Sequence, residues 1–376
     1  MAAAAAVAVV RLDLSDFRCY REARLDIDPR PVVLAGPNGA GKTNLLEAVS
    51  FLAPGRGLRR ARLSEVDRIG GGPWGLHATV ATLAGAVEIG TGRDAEGEMR
   101  ERRLVRIDGA TPRSQTALAG VAGVVWLTPQ MDRLFLEGGT ARRRFLDRLV
   151  YGFDPEHATR VAAYEHALRE RGRLLRERPA DAAWLGAVEE QMAGQGIAIV
   201  AARRELAAAI DHAVAEGVGP FPRPRLGLAG TVEGWLDAMP ALAAEERLRA
   251  ALAAGRRADA ETGGAGVGPH RSDLWVRHAA KDMPAEHCST GEQKALLLAI
   301  VLADVRLQAA ARGVPPILLL DEVAAHLDEE RRTHLYDEIL ALGVQAWLTG
   351  TDAALFAPLA GAAQHFRVAD AVVTPR

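Results

Sequence analysis

The chain has 376 residues, 49% hydrophobic and 25% charged, with a formal net charge of −2. This balance predicts a soluble globular protein of two or three domains or lobes. It excludes a uniformly basic nucleic-acid binder, so any surface for nucleic acid must be local.

In chain order, the opening "MAAAAAVAVV" has no basic segment and runs straight into "RLDLSDF". That pattern predicts no signal peptide, and no apolar run is long enough to span a bilayer. The expectation is a cytoplasmic protein with no membrane contact. Residues 7–33 hold two alternating runs split by a polar stretch, which predicts strands. "PVVLAG" then reads as a short buried strand, and "LAGPNGAGKT" (34–43) fits G-x-x-x-x-G-K-[ST] at Gly36, Gly41, Lys42 and Thr43. "TNLLEAVSFLA" follows with helical spacing, so the motif has the strand–loop–helix setting it requires. Glycines let backbone N–H groups turn around a phosphate, and the helix N-terminus adds partial positive charge. Lys42 would reach the β- and γ-phosphates, and the Thr43 hydroxyl would ligate Mg²⁺.

Between Glu47 and Glu65 there is no acid, but Arg56, Arg59, Arg60 and Arg62 occur. Short strand-like pieces continue over 76–108, and "VAGVVWLTPQ" (121–130) reads as a buried strand ending at Pro129. From 140 the character becomes helical, beginning with Arg142, Arg143 and Arg144. Helices are predicted over about 140–178, 180–216 and 234–254, the last two separated by the Pro- and Gly-rich "GVGPFPRPRLGLAG". Strand signals return at "SDLWVRHA". A helix over about 291–311, "ILLLDE", a helix over about 328–342 and "VQAWLTGT" complete the pattern. The expected division is 1–139, a helical insertion over 140–261, and 262–376. Cys19 and Cys288 lie far apart and make no metal or disulfide pattern.

"ILLLDE" (317–322) is an apolar run capped by two acids, as in a strand buried on both faces of a parallel sheet. Asp321 is placed to hold Mg²⁺ and Glu322 to deprotonate an attacking water. About 280 residues separate Lys42 from Asp321, far more than nucleoside kinases or small GTPases use. Just before the second half comes "STGEQK". Ser289 and Gly291 open a helix with Glu292 in its first turn, an N-cap signal and a second potential phosphate site. One nucleotide does not need two such sites from one subunit, whereas a second subunit docked head to tail would use both. "AHLD" (325–328) suits a contact across that interface.

With these motifs in place, the sequence resembles the ABC-type ATPases of DNA repair and chromosome maintenance, most closely the RecF family. The resemblance rests on "RLDLSDFRCYREARLDI", the phosphate loop with "TNLLEAV", "PQMDRLFLEGGTARRRFLD", "GPHRSDL", "STGEQK" and "LLLDEVAAHLDEERRTHL", in the expected order. It covers nearly the whole chain and is weakest in the helical insertion. It implies an α/β fold, an ABC-type P-loop ATPase head with a mixed sheet and a helical arm insertion. It implies a weak ATPase that uses ATP and Mg²⁺, forms a homodimer on ATP, and binds duplex DNA or single/double-strand junctions. It also implies work with RecR and RecO to help RecA load at gaps. Carried onto this chain, Gly36, Pro37, Asn38, Gly39, Ala40, Gly41, Lys42, Thr43 and Asn44 cradle the nucleotide. Gln130 takes the position that senses the γ-phosphate and metal, where RecF proteins often carry an acid. Ser289 and Gly291 touch the partner's γ-phosphate, Asp328 lies at the interface, and Arg18 lies near the base or phosphates. The histidine that follows the last strand in transporter relatives is absent from "LTGTDAA", leaving Thr349 and Asp352 in that region.

Arginine's planar fork suits phosphate oxygens, so Arg56, Arg59, Arg60 and Arg62, with Arg142 and Arg143, are the candidates for sequence-independent DNA contact. The plain alternative is a solvated or internally packed basic face. Rival readings are a transporter ATPase subunit, a non-catalytic ATP-gated scaffold and a coiled-coil chromosome ATPase. The missing histidine and the longer insertion argue against the first. The short insertion without a Cys-x-x-Cys hook argues against the third.

Overall fold

The structure is a computed structural model that describes residues 7–94, 101–176, 181–216 and 219–376. The first six residues of the N-terminal segment read above lie outside them. The chain divides into two compact units. One comprises Met1–Asp132, Val218–Phe221 and Leu297–Arg376; the other comprises Arg133–Gly217 and Pro222–Leu296.

The first unit holds two sheets. The antiparallel one has the order β2-β1-β4-β5-β6, formed by β1 (Ala8–Phe17), β2 (Tyr20–Asp26), β4 (Gly75–Thr82), β5 (Gly85–Arg93) and β6 (Arg103–Ile107). The second has the order β14-β13-β3-β12-β11-β7. It joins β3 (Val32–Ala35), β7 (Val124–Leu127), β11 (Ile317–Leu320), β12 (Ala346–Gly350), β13 (Gln364–Ala369) and β14 (Val372–Pro375). All its pairings are parallel except β13–β14. β3, β11 and β12 are buried along their whole length, which explains the unbroken apolar runs of β3 and β11. Helix α1 (Lys42–Ser50) follows β3, and α8 (Glu329–Leu342) lies between β11 and β12 in sequence. The buried Gln345 ties the two sheets together. Its side chain accepts from Val9 N at 2.9 Å and donates to Val9 O and Asp28 O at 2.9 and 2.8 Å. Phe17, Phe51 and Trp74 form an aromatic core with ring centroids 4.8–6.0 Å apart.

The second unit contains α2 (Gly139–Val150), α3 (His157–Leu174), α4 (Ala182–Ala213), α5 (Thr231–Ala238), α6 (Ala241–Thr262) and a small sheet of β8 (Pro224–Ala229), β9 (Asp273–His278) and β10 (Met283–Pro284) in the order β10-β9-β8. α3, α4 and α6 close on an apolar core that includes Met192, Val200 and Leu248. Buried ion pairs cross that core. Arg171 joins Glu189 and Asp259 at 2.9 and 2.8 Å, and Asp147 accepts from Arg203 at 2.7 and 2.8 Å. Helix α7 (Thr290–Arg312) begins in this unit.

Several elements differ from the sequence expectation. The first predicted helix, over about 140–178, is two, α2 and α3. The Pro- and Gly-rich interruption contains strand β8 (Pro224–Ala229), paired antiparallel with β9 (Asp273–His278) from Pro224↔His278 to Ala229↔Asp273. Proline is tolerated there because it opens the strand. The third predicted helix is two, α5 and α6, split at Pro240. β13 and β14 were not foreseen. The unit that holds the helical stretch continues beyond residue 261, because β9 belongs to its sheet.

Candidate functional site

The parallel strands β3, β11 and β12 end at one edge of their sheet, with Leu348 opposite both Leu320 and Val33. In such sheets the carboxyl edge is where ligands bind. From β3 the chain enters the glycine loop. Gly39 (φ 78°) and Gly41 (φ 110°) occupy left-handed backbone. Gly36 has a different constraint: a Cβ there would lie 1.9 Å from the Val368 carbonyl oxygen of β13. Tyr20 donates to the Gly41 carbonyl at 3.1 Å, which seats the β1–β2 turn on the end of the loop. Helix α1 begins with no side-chain cap, so its first N–H groups point into the loop without a side-chain acceptor. The buried Lys42 ammonium donates to the carbonyls of Gly36 and Pro37, both at 2.8 Å. Burial pulls its pKa below the ordinary lysine value, and the charges of Glu322 and Asp321 oppose that shift.

The two distant halves of the motif meet at Thr43. Its hydroxyl donates to the Asp321 carboxylate, with oxygen separations of 2.9 and 3.1 Å. Thr349, at the end of β12, donates to the same carboxylate at 2.7 Å and accepts from the Glu322 N–H at 2.9 Å. Glu322 adopts φ 52°, a backbone that residues with a side chain rarely take. Thr349 thus holds the peptide that turns Glu322 away from the strand. Asp352, the other residue in this region, caps the short 3-10 helix Ala353–Leu359. Gln130 lies three residues beyond Leu127, which pairs with Leu320. It is exposed in the 3-10 turn Pro129–Arg133.

The arginines divide into two groups. Arg18, in the β1–β2 turn, makes a two-pronged bond to Glu47 of α1 at 2.8 and 2.7 Å. Arg59 donates to the same buried carboxylate at 2.6 Å and to Asn44 at 2.7 Å. Arg59, one of the arginines expected to contact DNA, is thus bonded to the nucleotide loop's own helix, where Glu47 has no exposure to solvent and requires cations. Arg142 and Arg143 are likewise bonded within the protein. Arg142 grips Asp273 through two 2.7 Å bonds, and Arg143 donates to Ser272 O and Thr140 at 2.8 and 2.9 Å. Arg56, Arg60 and Arg62 are exposed. Glu47 was missed as a site residue. Its signal was an acid within an apolar helix face, beside two arginine-bearing loops.

In the second unit, Ser289 and Glu292 form a reciprocal cap. Ser289 N and Oγ donate to Glu292 at 3.0 and 2.9 Å, and Glu292 N donates to Ser289 Oγ at 3.4 Å. Lys281 joins the same carboxylate at 2.5 Å. Bonds from Lys281 and Ser289 hold Glu292 down to about 2. Ser289 and Gly291 are both exposed, and a Cβ on Gly291 would meet nothing within 4 Å. Asp328 caps α8 by accepting from Arg331 N at 2.8 Å.

Comparison with known proteins agrees with this geometry. The family described as RecF/RecN/SMC N terminal domain matches residues 8–357. The chain is 51% identical over 372 residues to the DNA replication and repair protein RecF of Mesorhizobium japonicum, covering 98% of this chain and 97% of the relative. It is 49% identical over 371 residues to the protein of the same name from Rhizobium meliloti, covering 98% and 99%. Among solved structures, the recombination mediator protein RecF-ATPrS in the RecFOR pathway superposes over 100% of both chains, with a TM-score of 0.87 at 21% identity. The Smc head domain of Pyrococcus furiosus superposes over 98% of this chain and 96% of its own, with a TM-score of 0.55 at 16% identity. The fold is that of an ABC-type ATPase head, and the chain belongs to the RecF family.

Proposed function

We infer that this protein is an ATP-dependent DNA-binding repair protein and a weak ATPase. ATP joins two copies head to tail, and the dimer binds duplex DNA or single/double-strand junctions. It acts with RecR and RecO to help RecA load at gaps. The observation that carries the nucleotide reading is the Thr43–Asp321–Thr349 cluster, which unites residues 278 and 28 positions apart at one sheet edge. The DNA and partner readings are supported by the names of the close relatives and by the RecFOR-pathway structure of the same fold.

The donor set fits a hard divalent cation. Thr43 and Asp321 supply only oxygens, and Mg²⁺ is usually held by one or two carboxylates with nucleotide phosphates. When bound, Mg²⁺ would neutralise phosphate charge, and Gln130 takes the γ-phosphate- and metal-sensing role that the family resemblance implies for its position. Lys42 draws the phosphate tail into the loop, and the α1 N-terminus donates N–H groups to it. Glu322 accepts a proton from the attacking water. Ser289 and Gly291 of the partner subunit close over the γ-phosphate.

Complementation between two inactive variants tests the paired arrangement. Lys42→Ala damages the site in cis and Ser289→Arg damages it in trans. An equal mixture contains dimers with one intact composite site, so ATPase activity should recover to about a quarter of the parental rate. No recovery, with both variants folded and the Ser289 variant binding ATP, would refute the head-to-tail site.

A further inference from the structure

The second unit contains a basic cleft that the nucleotide site does not use. It has a volume of about 440 Å³ and lies between the end of α3 and the loop joining α6 to β9. Arg169, Arg176 and Arg271 line it, and the described lining residues include no carboxylate. Arg169 lies in the last two turns of α3, and Arg176 in the turn just past its end at Leu174. Arg271 comes from the opposite wall.

Among the described residues, these three guanidiniums form no ion pair closer than 3.9 Å, unlike others of the second unit. Arg142, Arg171, Arg203 and Arg256 each meet a carboxylate at 2.6–2.9 Å. Among the described residues, Arg169 pairs with Glu165 alone, at 3.9 Å, with both side chains more than half exposed, and Arg271 donates to the Ala265 carbonyl at 3.1 Å. Three described acids of the neighbouring segments are paired elsewhere: Asp259 with Arg171, Glu170 with Arg173 and Glu261 with Arg257. The described lining of the cleft therefore carries a positive surplus within a chain of net charge −2.

Its walls are rigid and its rim is open. His270 bonds Tyr164 through Nδ1 at 2.7 Å and Ala265 O through Nε2 at 2.8 Å, which pins the Arg271 loop to α3. Gly172, Gly263 and Gly264 have nothing within 4 Å of where a Cβ would stand. A bulky polyanion can approach that backbone closely. Burial pulls the His270 pKa down, and neighbouring Arg271 and Arg143 add to that effect. Neutral His270 therefore leaves the charge of the cleft to the arginines.

We propose that the Arg169–Arg176–Arg271 cleft is a docking site for the sugar–phosphate backbone of duplex DNA. It seats phosphates with no base contact, and it lies outside the exposed arginines of residues 56–62. The proposal rests on the DNA-binding reading above and adds the surface that performs it. Positioning by phosphate contacts alone yields affinity without sequence preference.

The test is duplex binding by fluorescence anisotropy in ATP, over a series of salt concentrations, with parent, Arg169→Ala/Arg176→Ala and Arg169→Lys/Arg176→Lys. Two lost phosphate contacts should reduce the slope of log affinity against log salt by about 1.8. The lysine pair should retain most of the slope, and ATP affinity and Tm should match the parent in both. An alanine pair with the parental slope overturns the cleft as a DNA site, as does a loss accompanied by a lowered Tm. A parent that binds no duplex even at low salt refutes the DNA-binding reading itself. Retained duplex binding with selective loss of single-strand binding would also overturn the proposal.

Discussion

At the residue scale, the site depends on side chains that answer one another. Asp321 is 4% exposed, yet two threonine hydroxyls satisfy it, Thr43 from the first turn of α1 and Thr349 from β12. Thr349 also receives the Glu322 N–H, so one hydroxyl sets both acids. Glu292 plays the corresponding part at the start of α7, where Lys281 and Ser289 hold it ionised. Its folded pKa is depressed from 4.5 to about 2. The stabilisation it provides is therefore present above about pH 4.5 and lost as pH falls through about 2. Lys281→Ala removes the largest contribution, so the Glu292 carboxyl should titrate nearer its ordinary value, with the Ser289 bonds keeping it below 4.5. Carboxyl chemical shifts against pH measure this. An unchanged titration would show that Lys281 does not hold the cap.

At the scale of elements, α1 has two ends with different duties. Its N-terminus faces the phosphate loop with no side-chain cap. Glu47, further along, collects Arg18 from the β1–β2 turn and Arg59 from the segment after α1. Three separate pieces of chain are thereby locked around a fully buried carboxylate. Glu47→Ala leaves two guanidiniums without their acceptor. Removing one partner of a buried pair costs about 3–5 kcal/mol. Because Arg18 and Arg59 retain 18% and 29% exposure, water can answer part of their charge and the loss should fall at or below the bottom of that range. Urea denaturation measures it. A stability equal to the parent's would mean that the arginines find other acceptors at no cost.

For the whole molecule, the decisive question is whether turnover and assembly can be separated. Glu322→Gln keeps the shape of the side chain and removes its ability to take a proton. The variant should bind ATP and persist as a dimer, while the parent returns to its resting state as ATP is consumed. Sizing in ATP and in ADP distinguishes the two. A variant that stays monomeric where the parent dimerises would remove Glu322 from the hydrolytic role.

The sequence by itself determined the phosphate loop, the paired acids and the reciprocal cap at Ser289 and Glu292. These are local: glycines at positive φ, a strand buried on both faces, and a serine three residues before a glutamate each carry their own physical signature. It also identified the buried strand β3 and, in the apolar run "ILLLDE", the parallel strand β11, whose composition reflects burial on both sides. Tertiary structure alone decided which arginines are available. Arg59, Arg142 and Arg143 look like solvent-facing cations in sequence, but Glu47, Asp273 and the Ser272 carbonyl claim them across separations of 12 to 131 residues. β8 required β9 to become a strand, since its prolines and glycines have little preference for one. The role of Thr349 was equally hidden. A threonine at a strand end is unremarkable until folding brings Asp321 within 2.7 Å of its hydroxyl.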